Sequence, residues 1–172
     1  AGYPDGFEVT LHVMPVSRPY MFDPKKIGEA IQSYLAAVGI DVNFYQVDWG
    51  TYLQDTEAGQ HQMCLLGWTG DNGDPDNFMN VLYGLNACSI GTAGNYAFYT
   101  NEENQDFLTK ALRTYDINER EEYYKKAQEL VHEDAGWVYL AHSNQNVVFR
   151  NNVVGYTLHP TSRKFFYPVD IQ

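Results

Sequence analysis

Positive charge is scarce in this sequence. It contains 11 Lys and Arg residues against 22 Asp and Glu residues, so the formal net charge is -11 at pH 7. Such an excess of acid argues against binding to nucleic acid or to anionic membrane surfaces. Long apolar stretches are also missing, because no run reaches roughly 18 residues, the length of a membrane-spanning helix. We therefore expect no nucleic-acid partner and no direct insertion into a membrane.

Motifs for metal binding and for catalysis are missing too. The two cysteines, Cys64 and Cys88, form no Cys-x-x-Cys pair, and the five histidines show no ligand spacing. Free thiols and a disulfide between these cysteines both remain open, and we expect free thiols. The sequence contains no nucleophile elbow, phosphate loop or dinucleotide fingerprint. We accordingly predict no metal, no cofactor and no enzymatic activity.

The composition is that of one folded domain. The chain has 172 residues, of which 44% are apolar, and this is enough to build a real core. Aromatic residues reach 15%, with 14 Tyr, which suits a surface that contacts a ligand. The chain opens Ala1-Gly2 without an initiator Met, and we interpret it as a processed chain or an excised fragment.

Residues 7–14 alternate apolar and polar side chains, the pattern of a half-buried strand. His12 falls on the outer face of this strand, where we expect a structural or exposed role. The residues predicted to point inward are Phe7, Val9, Leu11 and Val13.

A helix and a second strand follow. Asp23 and Pro24 start the helix, Gly39 ends it, and residues 40–47 form the strand. The apolar stripe of the helix consists of Ile27, Ala30, Ile31, Tyr34, Leu35 and Val38. Because a strand, a helix and a strand in this order form a β-α-β unit, the two strands should be parallel.

The rest of the chain is predicted to contain further helices, strands and loops. We predict a short helix near 50–57, a third strand over 62–66, a loop over 84–101, and a strand at Val138–Ala141. We predict a helix over 103–113, whose inner face consists of Phe107, Leu108, Ala111 and Leu112. A second helix over 117–134 has the inner face Tyr123, Tyr124, Ala127, Leu130 and Val131. Short strands and turns follow Asn144, with candidates at 147–149, 153–154 and 156–158.

The stretch Gly67–Phe78 connects the third strand to the next helix. It combines three glycines, Trp68 and a cluster of acids, and Asp74 and Pro75 are predicted to be the N-cap and first residue of the helix. A Gly-rich turn that carries an aromatic ring and an acid, Asp71, is suited to hold a cationic group. A solvated turn that merely joins strand to helix is the alternative.

Ligands of parallel α/β sheets bind outside the carboxyl ends of the strands. The three strands are followed there by the residues Arg18, Tyr20, Trp49, Trp68 and Asp71. Such an edge suits a zwitterion, because Asp71 can accept from an ammonium group and Arg18 can hold a carboxylate. The aromatic rings would stack on a planar group such as a peptide bond. Ordinary surface or core roles remain open for these residues, and so does an ion pair between Arg18 and Asp71.

The same residues carry a resemblance to a known family. Ser17–Met21 (SRPYM), Trp49–Leu53 and above all Leu65–Phe78 (LLGWTGDNGDPDNF) resemble the extracellular solute-binding proteins of ABC importers for peptides, nickel and opines, known as family 5. The resemblance is to the C-terminal lobe, covers essentially the whole chain, and is closest for the dipeptide binders. It implies an α/β fold: one lobe of a two-lobed periplasmic-binding-protein fold, with a mainly parallel sheet flanked by helices.

The resemblance also implies a function. The chain would belong to the substrate-binding component of an ABC importer, which captures short peptides in the periplasm or on the outer face of the cytoplasmic membrane. Its partners would be the peptide, an N-terminal lobe and the membrane subunits of the importer. Asp71 would bind the amino terminus, Arg18 the carboxylate, and Tyr20, Trp49 and Trp68 would line the pocket. Residues 1–143 would form the lobe, and 144–172 would return to the other lobe.

Two departures and several alternatives accompany this prediction. The chain offers only one lobe, and the loop near Cys88 carries Phe98 and Tyr99 where a relative has a second cysteine. The same fold could instead bind glutathione, haem or a nickel chelate. The least favoured alternative is an enzyme that uses the cluster of Asp71, Asp74 and Asp76, which lacks the spacing of a calcium loop.

Overall fold

A computed structural model describes residues 2–172 of the chain. Ala1, on which the interpretation as a processed chain partly rests, lies outside the described residues. The elements in chain order are β1 (Phe7–His12), α1 (Pro24–Ala36), β2 (Ile40–Tyr45), α2 (Trp49–Glu57), β3 (Met63–Cys64), α3 (Asp76–Tyr83), a 3-10 helix (Leu85–Ala87), α4 (Glu102–Arg113), α5 (Ile117–Glu133), β4 (Val153–Val154) and β5 (Asp170–Ile171).

The first three strands form one parallel sheet in the order β2-β1-β3. β1 pairs with β2 from Phe7↔Ile40 to His12↔Tyr45, so the predicted parallel β-α-β unit is confirmed. β3 pairs with β1 only at Leu11↔Met63 and His12↔Cys64, which makes it shorter than the predicted 62–66. The α/β prediction, a parallel sheet flanked by helices, is likewise confirmed.

Helix α1 begins as its sequence indicates. The Asp23 carboxylate accepts a hydrogen bond from the Lys26 N–H (3.1 Å), and Gly39 takes the left-handed φ of 81° after the helix. The predicted apolar stripe is wrong in part, because Tyr34 is 76% exposed and Val38 is 71% exposed. Val38 lies beyond the end of the helix. The helix packs on the sheet through the face that carries buried Gly28. Tyr34 lies on a different face of the helix and points to solvent.

Burial increases along β1 rather than alternating. Phe7, predicted to point inward, is 42% exposed, whereas Leu11 and Val13 are buried. His12 is buried as well, with its ring 4.3 Å from that of Tyr45. Both faces of the sheet are therefore covered at its carboxyl end. The Tyr52 hydroxyl lies in the core below this end and donates to the Leu65 carbonyl (2.6 Å).

The helices after the sheet form a second core. Its buried members are Met79, Leu82, Tyr83, Tyr99, Leu108, Ala111, Tyr124, Ala127 and Val131. Phe107 packs against this core, but Leu112, predicted to lie inside, is 52% exposed. Asp116 caps α5 as predicted by accepting from Asn118 and Glu119, while the Glu119 side chain bonds Thr114 instead of closing a capping box.

The last part of the chain is more open than predicted. The strand predicted at Val138–Ala141 is wrong: these residues have no sheet partner, and Val138 is 80% exposed. The strands predicted at 147–149 and 156–158 do not form either. Residues with a preference for extended structure form a strand only where a neighbouring strand is available for hydrogen bonding. Val153–Val154 does form β4, which pairs antiparallel with β5. Within residues 2–172, no helix is long and apolar enough to cross a membrane.

Candidate functional site

Arg18 lies on the loop after β1 and is stacked on an aromatic column. Backbone hydrogen bonds in both directions between Arg18 and Met21 (2.9 Å each) fix this loop. The guanidinium carbon lies 4.3 Å from the ring centroid of Trp49, which in turn stacks on Tyr52 at 5.5 Å and 11°. The Arg18 Nε atom is buried and has no hydrogen-bond partner among residues 2–172. The cation is therefore held over the Trp49 ring by a cation–π contact.

Tyr20 is packed against the start of the Gly-rich stretch. A Cβ atom at Gly67 would lie 2.4 Å from Cδ2 of Tyr20, so only glycine permits this contact. Burial raises the pKa of the Tyr20 hydroxyl, although the nearby Arg18 opposes the effect. The hydroxyl consequently stays neutral and can act as a hydrogen-bond donor beside the cation.

Trp68 and Asp71 share one partner, Asn77, in the first turn of α3. The Asn77 Oδ1 accepts from the Trp68 Nε1–H (3.2 Å) and from the Asp71 backbone N–H (2.8 Å). The Asn77 Nδ2 donates to the Asp71 carboxylate at 3.4 Å. Trp68 is partly buried against the helical core, whereas Asp71 is exposed. The acid is thus oriented but remains accessible.

The prediction of Asp74 as the N-cap and Pro75 as the first residue of the helix is wrong by one residue, because α3 begins at Asp76 with Pro75 as its N-cap. The Asp74 carboxylate accepts from the Asp76 N–H (2.9 Å) at the start of α3 and also binds both terminal nitrogens of Arg120 on α5. This Arg120 interaction holds the pKa of Asp74 below its usual value. Asp76 accepts a hydrogen bond from Asn80. Two of the three carboxylates of the alternative catalytic cluster, those of Asp74 and Asp76, therefore have structural partners.

The structure brings the five predicted residues together in two groups. Arg18, Tyr20 and Trp49 form one group, and Trp68 and Asp71 form the other through Asn77. Gly67, which precedes Trp68, touches Tyr20, so both groups lie at the carboxyl end of the sheet. Across residues 2–172, no ion pair joins Arg18 to Asp71. The two charged side chains that were predicted to bind the ligand, Arg18 and Asp71, therefore do not neutralise each other within the described residues.

Sequence reasoning missed three residues at this edge: Asn77, Arg120 and Arg163. Asn77 stands inside the quoted Leu65–Phe78 motif, and its place in the first turn of a helix could have indicated a contact with the preceding loop. Arg163 donates to the Asp71 carbonyl (3.2 Å). No sequence signal pointed to Arg120 or Arg163, because each reaches the loop from a distant segment.

The two cysteines form no disulfide within the described residues. Cys64 and Cys88 are both free, and burial raises the pKa of the Cys64 thiol to about 12. The described part of the chain holds no group of three His, Cys, Asp or Glu side chains that could bind a metal ion. A shallow cleft of about 490 Å³ lies elsewhere and includes His12, Asp55 and His61 in its lining, but none of the five predicted residues.

Comparison with known proteins places these residues in a family. Residues 1–88 match the bacterial extracellular solute-binding proteins, family 5 Middle. The dipeptide-binding protein of Escherichia coli is 38% identical over 172 residues, which cover 100% of this chain and 32% of that protein. Heme-binding protein A of Haemophilus influenzae is 36% identical over 171 residues, or 99% of this chain and 31% of that protein.

A solved structure has the same fold. The crystal structure of a dipeptide-binding protein from a Pseudoalteromonas species, in complex with Met-Leu, has a TM-score of 0.80 and 33% identity. The match covers 100% of this chain and 34% of that chain. This chain therefore spans about a third of the length of the proteins it matches. Since the family match covers residues 1–88 of 172, the chain belongs to the bacterial extracellular solute-binding proteins of family 5.

Proposed function

We propose that this chain is part of the substrate-binding component of an ABC importer and that its ligand is a short peptide, foremost a dipeptide. The observation that carries the proposal is the pair of opposite charges at the sheet edge. Arg18 lies 4.3 Å over Trp49, Asp71 is held by Asn77 on the same edge, and neither side chain forms an ion pair within residues 2–172. A zwitterion satisfies both charges with one molecule.

Each group has a role in this proposal. The Asp71 carboxylate accepts hydrogen bonds from the peptide ammonium, and Arg18 donates to the terminal carboxylate. Trp49, Trp68 and Tyr20 supply the apolar walls and stack on the peptide plane. The relatives named for dipeptide binding support this choice of ligand.

The transport role and the compartment are proposed as well. The chain spans about a third of its relatives, so contacts from a second, N-terminal lobe would complete the cleft. We place residues 1–143 in one lobe and 144–172 in a segment that returns to the other. The segment passes beside the candidate site on this path, because Arg163 donates to the Asp71 carbonyl. The intact protein would work in the periplasm and deliver its ligand to the importer's membrane subunits.

Haem is the second candidate ligand. A relative named for heme binding is 36% identical over 99% of this chain, close to the value for the dipeptide-binding relative. The aromatic residues could also contact a porphyrin, but a haem ligand gives no role to the ammonium site at Asp71. Glutathione and nickel chelates have less support, and an enzyme that uses Asp71, Asp74 and Asp76 has the least.

Calorimetric titration of the intact protein tests the proposal. The ligands are a dipeptide, a tripeptide, glutathione and haem, together with the same dipeptide carrying a C-terminal amide. We expect the free dipeptide to bind most tightly and the amide to bind more weakly, because Arg18 loses its charged partner. Binding of haem alone would contradict the peptide proposal, and equal binding of acid and amide would contradict the role of Arg18.

A further inference from the structure

Asn77 connects two of the proposed ligand residues through one side chain. It bonds the Trp68 indole, the Asp71 backbone and the Asp71 carboxylate. We propose that Asn77 is a positioning residue, which fixes the Asp71 carboxylate relative to the Trp68 ring so that the two together recognise a free peptide amino terminus. This inference rests on the peptide-binding function proposed above and extends it to a residue behind the ligand contacts.

The orientation of the Asn77 amide follows from its neighbours. The Trp68 Nε1–H and the Asp71 N–H are both donors, and both point at the same atom, which must therefore be the amide oxygen. The other amide atom faces a carboxylate oxygen and must be the nitrogen. If the amide were flipped, the Trp68 and Asp71 N–H groups would face the amide nitrogen, and the Asp71 carboxylate would face the amide oxygen. The three bonds thus select one state of the side chain.

Asn77 lies on a helix that is anchored in the core, next to an exposed turn. Its backbone N–H donates to the Asp74 carbonyl (3.1 Å) in the first turn of α3. That helix is anchored in the core by Met79 and Leu82, which are 5% and 6% exposed. Asp71, by contrast, lies on an exposed turn close to Gly73, which has a φ of 77°. Asn77 therefore links the exposed Asp71 carboxylate to a helix that is anchored in the core.

The arrangement leaves one carboxylate oxygen for a ligand. Asn77 holds Oδ2 of Asp71, and among the described residues Oδ1 has no hydrogen-bond donor. An ammonium group at Oδ1 would lie beside the edge that carries the Trp68 ring. Asn77 itself does not touch the ligand in this arrangement, so its effect must pass through Asp71 and Trp68.

The test compares a free dipeptide with its N-acetylated form on the intact protein. Acetylation removes the ammonium charge, so the ratio of the two affinities reports on the Asp71 site alone. In Asn77→Ala we expect the affinity for the free dipeptide to fall about tenfold, the factor that corresponds to one charge-assisted hydrogen bond. The affinity for the acetylated peptide should stay unchanged, so that the ratio falls by the same factor.

Two further variants keep the test sharp. Asn77→Ser suits the start of a helix but is too short to bridge the two residues, so it should lower the ratio even if Asn77→Ala folds poorly. Asn80→Ala is the matched control, because Asn80 lies on the same helix and bonds only Asp76 among the nearby acids. We expect this control to keep the ratio of the wild-type protein.

The outcomes separate the inference from the proposed function. An unchanged ratio in both Asn77 variants overturns the inference, and so does an equal loss for both peptides together with a lower melting temperature. Absence of dipeptide binding by the wild-type protein overturns the proposed function instead. Replacing Trp49 and Trp137 by Phe in the 172-residue chain leaves Trp68 as its single tryptophan. If the Trp68 emission spectrum is the same in Asn77→Ala and Asn80→Ala, the proposed contact between Asn77 and Trp68 has no ordering role and that part of the inference is overturned too.

Discussion

Arg120 and Asp74 are joined by two parallel hydrogen bonds although they are 46 residues apart in the sequence. The distances are 2.9 Å from Nη1 to Oδ2 and 2.8 Å from Nη2 to Oδ1. The Arg120 Nε also donates to the Ala111 carbonyl (3.0 Å) at α4. One guanidinium thus ties α4 and α5 to the loop that carries Trp68 and Asp71.

Replacing Arg120 by Lys should destabilise the fold, because an ammonium group cannot form the two-bond fork. The pair is about a third exposed, so we expect a loss of only about 1–2 kcal/mol in the free energy of unfolding. Urea unfolding measures the change. Arg113→Lys at the exposed end of α4 is the control, and a loss of equal size there would contradict the role of the pair.

At low pH the pair of Arg120 and Asp74 should no longer contribute to the free energy of unfolding. Arg120 lowers the pKa of Asp74 below its ordinary 3.8, so this contribution is fully present above pH 3.8 and is lost as the pH falls through the lower folded pKa. The difference in unfolding free energy between the wild-type protein and Arg120→Met should therefore shrink below that pH. A difference that stays constant down to acid unfolding would argue against the ion pair.

Periodicity and capping residues were sufficient to predict the β-α-β unit. Asp23 and Gly39 act locally, so their roles are visible in the sequence. The sequence also suggested the carboxyl-end residues, because the rule for parallel sheets needs only strand order. It could not show that Asp74 pairs with Arg120, or that Tyr34 faces solvent, because both depend on how distant elements pack.

Asp71→Asn in the intact protein should weaken dipeptide binding strongly. A ligand ammonium would lose its charge partner, and the expected cost is roughly 2–5 kcal/mol. Calorimetry measures the affinity, with Asp76→Asn as the control for a change of charge in the same stretch. Unchanged affinity for dipeptides, with loss of another ligand only, would refute the assignment of Asp71.

His12 should make stability depend on pH near neutrality. Burial lowers the pKa of His12 below 6.5, His61 lowers it further, and Asp55 opposes them. Stability is then complete above pH 6.5 and declines as the pH falls from there to the folded pKa, by at most about 1.4 kcal/mol per pH unit. His12→Phe should flatten this slope, since Phe can pack on Tyr45 without titrating. His142→Phe, at an exposed position, is the control, and equal slopes in all three proteins would contradict the prediction.

The isolated chain should bind dipeptides weakly or not detectably. In two-lobed binding proteins, closure draws contacts from both sides of the ligand, and a single edge cannot exclude water from the charges. Calorimetry of the 172-residue chain beside the intact protein provides the comparison. Submicromolar binding by the isolated chain would show that this edge forms a complete site.

The C-terminal segment should mediate association between copies of the isolated chain or remain packed on its own lobe. Val148 is 94% exposed and Tyr167 is 102% exposed, and exposed apolar patches of this kind are association sites. The short strand β5 also has a free edge that another chain could pair with.

Sedimentation velocity at increasing concentration tests this choice. If the segment mediates association, Val148→Ser with Tyr167→Ser should reduce it, because both side chains are exposed and their loss leaves the core intact. Tyr115→Ser is the control, since Tyr115 is equally exposed between α4 and α5. If the segment instead packs on its lobe, the chain should be monomeric, and the amide hydrogens of β4 and β5 should be protected from exchange. A monomer whose segment exchanges at the rate of an unfolded chain would contradict both outcomes.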